Sequence, residues 1–307
     1  MAFTAKDVAE LRKQTGCGMM DCKNALVAAD GNFEEAIKVL REKGMAATAK
    51  KASRIAAEGL VDIYTENGVT AIAEVNSETD FVAKNETFRA FVGDILKTIV
   101  ANRPASVEEL MGKTLVGTDK TVEEVLQEKT FTIGEKLSIR RFVIVDGVVS
   151  TYVHGLGATG IVVKFEAADD VVANPGFAEF AKNIALQAAA IPSSYVSRED
   201  VPASVIEEEK DVLTKQMQQD PKFANKPAKV LEGIVAGKLG KFFESTCLLE
   251  QGYVKDDSMT VRKYVEATAK AFGGDIKVVS FVRYDKGEGI QKREEDFAAE
   301  IEKMVKG

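Results

Sequence analysis

Three cysteines, one histidine and no tryptophan in 307 residues narrow the chemistry this chain can carry. Cys17, Cys22 and Cys247 are odd in number, so the even, regularly spaced set that a disulfide framework needs cannot be assembled. A zinc site requires four closely grouped Cys and His ligands, and His154 is the one histidine available. The same scarcity leaves no His-dependent catalytic triad. Six prolines and 24 glycines exclude collagen-like and Gly/Pro-rich disordered classes, and no apolar run approaches the ~20 residues of a bilayer span. The opening MAFTAKDVAELRKQTG places charges where a signal peptide keeps its apolar stretch, which predicts a cytoplasmic protein. Composition therefore argues against an enzyme before any motif is read, and the expectation is of no catalytic residues, no metal and no cofactor.

What is present is ordinary for a globular protein of two or three domains: 45% apolar and 29% charged residues. The net charge of −7 is uneven, with +3 on residues 1–55 and −10 on the remainder. A chain with so acidic a body offers no electrostatic footprint for nucleic acid, and neither nucleic acid nor membrane is expected as a partner.

The first 45 residues have the punctuation of three helices. Thr4 with Asp7 three residues on is a helix start, Val8 and Leu11 give an apolar stripe, and Thr15-Gly16-Cys17-Gly18 breaks it. A second helix from about Met20 spaces Cys22, Ala25, Leu26 and Ala29, and Asp30-Gly31-Asn32 stops it. The third places Phe33, Ile37 and Leu40 on one face and is expected to end at Gly44, before a helical linker, MAATAKKASR. So small a unit suits docking better than chemistry.

From Ala56 the pattern turns to strands. Leu60–Tyr64, Asn67-Gly68 and Val69–Val75 form a hairpin signal, followed by an acidic turn and a helix with Phe88, Phe91, Val92, Ile95 and Ile99 on one face. The order recurs: Val148–Val153, a Gly-rich turn, Ile161–Phe165, an acidic turn, then Phe177, Phe180, Ile184 and Leu186. The closing runs IRRFVIVDG and VSFVRYDKG also match. The fold class is α+β, with two related antiparallel-sheet and helix subdomains at 56–147 and 148–287. A helical hairpin arm is expected at about 197–243 from the near-heptad apolar runs on either side of Asp220–Pro227. A last helical module at 288–307 carries Phe297, Ile301 and Met304.

Gly155-Leu156-Gly157-Ala158-Thr159-Gly160 has the dinucleotide spacing G-x-G-x-x-G, but that motif must open a helix, and here a β-rich run follows. A hairpin connection accounts for it. Thr79-Asp80-Phe81-Val82 stands in the turn after a strand, and alignment with the second copy sets Phe81 opposite Val171. Phe81 is then either a local core filler or a probe aimed at a partner. Met19 and Met20 are hard to explain as core, although Met20 can also cap the head. His154 is otherwise a polar loop residue, and Glu207-Glu208-Glu209 is a solvated helix face.

TGCGMMDCKNAL, TDFVAKN and DFAAEI, in this order along the whole chain, resemble the bacterial translation elongation factor Ts family. The resemblance implies a ubiquitin-associated-like (UBA-like) head with linker at 1–55 and a guanine nucleotide exchange factor for the GTPase elongation factor Tu. It assigns Thr79, Asp80, Phe81 and Val82 to the region that disturbs the Mg²⁺ and phosphate site. It also assigns Arg12, Met19, Met20, Asp21 and Lys23 to head docking, and His154 and Phe297 to further partner contacts. For Phe297, packing on the parent core stands as the alternative. A homodimer through the arm, giving a heterotetramer, is a further implication.

Overall fold

The computed structural model describes residues 3–220, 222 and 227–291. Three helices come first: α1 (Ala5–Thr15), α2 (Met19–Ala28) and α3 (Phe33–Lys51). The Thr4 backbone N–H and hydroxyl donate to the Asp7 carboxylate at 2.6 and 2.8 Å, and Gly16 ends α1 at φ 68°. Asn32 caps α3 by accepting the Glu35 N–H at 3.1 Å. Val8, Leu11, Cys22, Ala25, Leu26, Ala36 and Leu40 close the head core. Contrary to expectation, α3 does not stop at Gly44. One interior Gly costs only about 1 kcal/mol relative to Ala, and the good helix formers of MAATAKK carry the helix onward.

β1 (Glu58–Glu66) and β2 (Val69–Ser77) pair across Asn67-Gly68, whose φ values of 50° and 77° are those of a type I′ turn. Four helices follow: α4 (Asp80–Lys84), α5 (Glu86–Asn102), α6 (Val107–Met111) and α7 (Val122–Ile133). β3 (Ser138–Asp146) then returns beside β2, giving an antiparallel sheet of order β1-β2-β3. Alternation along β2 sorts its residues by face. Ala71, Ala73 and Val75 pack with Phe88, Phe91 and Ile95 of α5, while Ile72 points the other way.

The second half repeats this plan. β4 (Val148–His154) and β5 (Thr159–Ala167) lead into α8 (Asp169–Val172) and α9 (Phe177–Ala190). The arm follows as α10 (Ala203–Gln219) and α11 (Ala228–Thr246). Next come β6 (Gly252–Tyr253), β7 (Asp256–Thr260), α12 (Val261–Phe272) and β8 (Ile276–Asp285), the last completing a sheet of order β4-β5-β8. Even the bulge recurs, between Glu74 and Val75 in β2 and between Lys164 and Phe165 in β5. Ile161, Val163 and Phe165 meet Phe177, Phe180 and Ile184, while Val162 joins Val61, Ile72 and Tyr284 between the sheets. The result is four layers, α5, first sheet, second sheet and α9, a mixed helix and antiparallel-sheet fold. No helix among the described residues is long and apolar enough to cross a membrane.

The Gly155–Gly160 run is the β4–β5 connection, and a strand follows it, so the dinucleotide pattern lacks the helix N-terminus it needs. Its glycines serve close approach instead. A Cβ on Gly157, at φ 100°, would lie 2.6 Å from the Leu60 Cβ, and one on Gly160 would lie 2.5 Å from Val61 Cγ1.

A buried carboxylate ties the sheets to the chain leaving β8. Glu74 accepts from Arg140 at 3.0 Å, Arg141 at 2.7 Å, Asn76 at 3.1 Å and the Gly287 N–H at 2.8 Å. Arg141 also lies over the Tyr284 ring, 4.0 Å from its centroid. Burial alone would raise this carboxyl, but the hydrogen bonds from Gly287, Asn76, Arg141 and Arg140 outweigh it and hold it below the usual glutamate range. A depressed folded-state pKa contributes stability above the unfolded value and loses it as pH falls. Glu74→Gln should therefore cost about 2–4 kcal/mol at neutral pH. In paired urea titrations of variant and wild type the deficit should shrink below about pH 4; a pH-independent deficit would contradict this assignment.

Candidate partner-binding site

The helix carrying Phe81 is one turn long and is fixed at both ends. At its start, the Glu135 carboxylate, from the turn between α7 and β3, accepts the Glu78 N–H at 3.1 Å, the Thr79 N–H at 3.0 Å and the Thr79 hydroxyl at 2.6 Å. At its end, Asn85 closes α4 and opens α5, accepting the Thr87 and Phe88 N–H groups at 2.8 and 3.3 Å. Between these ties the helical period divides the side chains. Val82 and Ala83 are buried, and Phe81 is 79% exposed.

This geometry corrects the register assumed between the two copies. α4 begins after Thr79 and α8 after Ala168, so Asp80 matches Asp169, Phe81 matches Asp170, and the buried Val82 matches the buried Val171. Glu78 is the extra residue of the first copy. Phe81 is not a core filler, and Val82, which the resemblance groups with Thr79, Asp80 and Phe81 in the region that disturbs the Mg²⁺ and phosphate site, is itself buried in the core with Phe88 and Val92. Thr79 is half-buried and its hydroxyl is committed to Glu135.

Asp80 pairs with Lys84 at 2.6 Å, and the Lys84 ammonium lies 6.0 Å from the Phe81 ring centroid. The hydrogen bond from Lys84 holds the Asp80 carboxyl below the usual aspartate range, so it is ionised at neutral pH. The pair is exposed to solvent, so it is screened and adds little to stability.

The head reaches this place. A groove of ≈ 540 Å³ is walled by Phe81 and Val82, by Thr15 and Gly16 at the end of α1, and by Lys129 and Thr132 of α7. Arg41 of α3 pairs with Glu124 of α7, and Lys51 donates to the Thr130 carbonyl at 3.1 Å, fixing the head on α7. On α2, Met19 and Met20 are 47% and 61% exposed, which removes the capping role for Met20. Arg12 and Lys23 are exposed and Asp21 is half-buried.

His154 is exposed at the end of β4, its Nδ1 2.9 Å from the Tyr152 hydroxyl. Beside it, Leu156 is 74% exposed at φ 57°, a residue sequence reasoning passed over because it sat inside a glycine motif. A large apolar side chain between turn glycines has no core to enter, and that signal was available. Arg89, in the first turn of α5, donates to the Leu156 carbonyl at 3.2 Å, so this turn adjoins the α4–α5 junction. Phe297 and the expected helix around it lie outside the described residues.

The family model for elongation factor Ts matches residues 78–288, a span that includes Phe81, Glu135 and His154. Elongation factor Ts of Syntrophotalea carbinolica is 45% identical over 313 aligned residues that cover all of both chains. Elongation factor Ts of Clostridioides difficile is 47% identical over 310 residues covering 99% of each. At this identity and coverage, the chain belongs to the elongation factor Ts family.

Proposed function

We propose that this translation elongation factor acts as a guanine nucleotide exchange factor on the GTPase elongation factor Tu, with Phe81 as the group it inserts. One observation carries the reading: a phenyl ring 79% exposed on a one-turn helix that is tied at both ends. Burying a phenylalanine side chain is worth about 1.5–3 kcal/mol, so a ring held in water is free energy available to a partner.

The mechanism needs no chemistry on this chain. GDP is held in such GTPases by Mg²⁺ and by backbone N–H groups around its phosphates. A ring wedged between the helices that carry those groups shifts them, and the nucleotide is weakened without being touched. Asp80, ionised beside Lys84, offers the partner a charged acceptor next to the ring. Coupling between sites is reciprocal, so a factor that loosens GDP is itself loosened when nucleotide rebinds.

Docking is assigned to the head. Met19 and Met20 supply adaptable apolar contacts, with Arg12, Asp21 and Lys23 around them. The groove beside Phe81 joins the head to α4, and His154 with Leu156 extends the surface past the α4–α5 junction.

Adjacent residues on α4 should separate fold from function. Phe81→Ala should leave stability within about 0.5 kcal/mol, while Val82→Ala should cost about 2 kcal/mol in the same thermal melts. In stopped-flow release of a fluorescent GDP analogue from elongation factor Tu, Phe81→Ala should lower the limiting rate by about 30-fold, matching a 2 kcal/mol hot spot. Unchanged release would sink the wedge. The double substitution Met19→Ala and Met20→Ala should instead raise the half-saturating concentration about tenfold with the limiting rate kept, and loss of limiting rate alone would contradict the docking role.

A further inference from the structure

The ring at position 81 displaces a partner's helices only if its own helix does not yield first. We propose that Glu135 is the positioning residue for Phe81: it locks the α4 start and, through Glu78, connects that lock to the segment leaving the head. This inference rests on the exchange reading above.

The comparison between the two halves separates the lock from the fold. In the second copy, among the described residues, no carboxylate from elsewhere in the chain accepts a backbone N–H at the Ala167–Ala168 turn, and the nearby side-chain bond is the local one from the Val171 N–H to Asp170 at 2.9 Å, so the sheet-to-helix turn of this architecture forms without a carboxylate clamp. The first copy adds one residue, Glu78, and it is there that Glu135 accepts three hydrogen bonds. The same copy carries an exposed phenylalanine where the second carries Asp170. Extra residue, clamp and exposed ring occur together, in the one half that has them.

The two glutamates form a reciprocal clasp. Glu135 takes the Glu78 N–H at 3.1 Å, and the Glu78 carboxylate takes the Lys136 N–H at 2.6 Å. Neither turn can move without breaking the other's bond. Glu78 also pairs with Arg54 at 3.2 Å, and the Lys136 ammonium donates to the Ala52 and Arg54 carbonyls at 2.7 and 2.8 Å. The segment just past α3 is therefore fastened to Glu78 of the turn that leads to Phe81 and to Lys136, the neighbour of Glu135. Docking of the head and placement of the ring share one rigid frame, which is the condition for binding strain to reach the nucleotide site.

The test is nucleotide release from elongation factor Tu, titrated with full-length wild type, Glu135→Gln, Thr79→Ala and Phe81→Ala. Gln keeps the volume of Glu135 but removes its charge and one acceptor oxygen, so the three donors are left with one oxygen and the bonds to it lose their charge assistance. Glu135→Gln should lower the limiting rate about tenfold while the half-saturating concentration stays within about twofold. Thr79→Ala removes only the 2.6 Å hydroxyl bond and leaves both backbone bonds, so it should lower the limiting rate about threefold. This milder variant keeps the proposal testable if Glu135→Gln folds poorly. A merely structural Glu135 would lower the melting temperature and leave the limiting rate of the folded protein unchanged; that result, with Phe81→Ala impaired, would overturn the proposal. Wild-type release by Phe81→Ala would overturn the insertion of Phe81 and the clasp's role with it, whereas no stimulation of release by the wild type would overturn the exchange reading itself.

Discussion

Three hydrogen bonds to one carboxylate, that of Glu135, fix where β2 ends and α4 begins, and the geometry of the whole site follows from that point. With the start of α4 held there and its end held by Asn85, the helical period leaves no freedom in which side chains face inward. Val82 goes to the core and Phe81 to water. The carboxylate can serve as an anchor because its own turn is anchored: β3 pairs along β2, and Arg140 and Arg141 of β3 close on the buried Glu74. A charge that deep in the sheet is tolerated because each of its oxygens is met by donors, and it transmits rigidity from the sheet sandwich to the surface.

The duplicated halves show what the fold requires and what has been added to it. Both run strand, strand, helix, excursion, strand, with the same sheet order and a bulge at the same place. In the first half the excursion is α6 and α7, and α7 becomes the bed on which the head rests through Arg41, Lys51 and Phe131. In the second half it is the arm with β6, β7 and α12, whose Val261 and Val265 complete the second core. The halves then meet through Val61, Ile72, Val162 and Tyr284, and the glycines of the β4–β5 turn let that turn lie directly on β1. The end of α1 and the β4–β5 turn thus both adjoin the α4–α5 segment, the first across the groove at Thr15 and Gly16 and the second through Arg89.

Much of this was legible in the sequence, because local rules agree with the global fold there. The Thr4–Asp7 cap, the Asn67-Gly68 turn and the apolar face of α5 announce themselves through spacing alone. The exposure of Phe81 did not. It hung on the position of a single-residue gap, and only the paired helix starts at Thr79 and Ala168 place that gap at Glu78. Glu135 lies 56 residues from Thr79 in sequence, and no periodicity connects two turns so far apart. β6 and β7 are too short and too polar to register as strands, and α3 overran its glycine because the residues beyond it favour helix. Glu74 is different: a carboxylate between Ala73 and Val75 in a strand buried on both faces carried its own signal of a paired, buried charge.

The central claim is that the side chain at position 81 stands in water in the free factor and enters the GTPase when nucleotide leaves. The chain contains no tryptophan, so Phe81→Trp introduces a single indole, and incorporation of 5-fluorotryptophan gives a single fluorine resonance. In the free protein that resonance should show the solvent isotope shift of an exposed ring. On binding nucleotide-free elongation factor Tu it should move and lose that shift, and excess GDP should restore it. A resonance that keeps its position and its solvent isotope shift in the nucleotide-free complex would contradict the account.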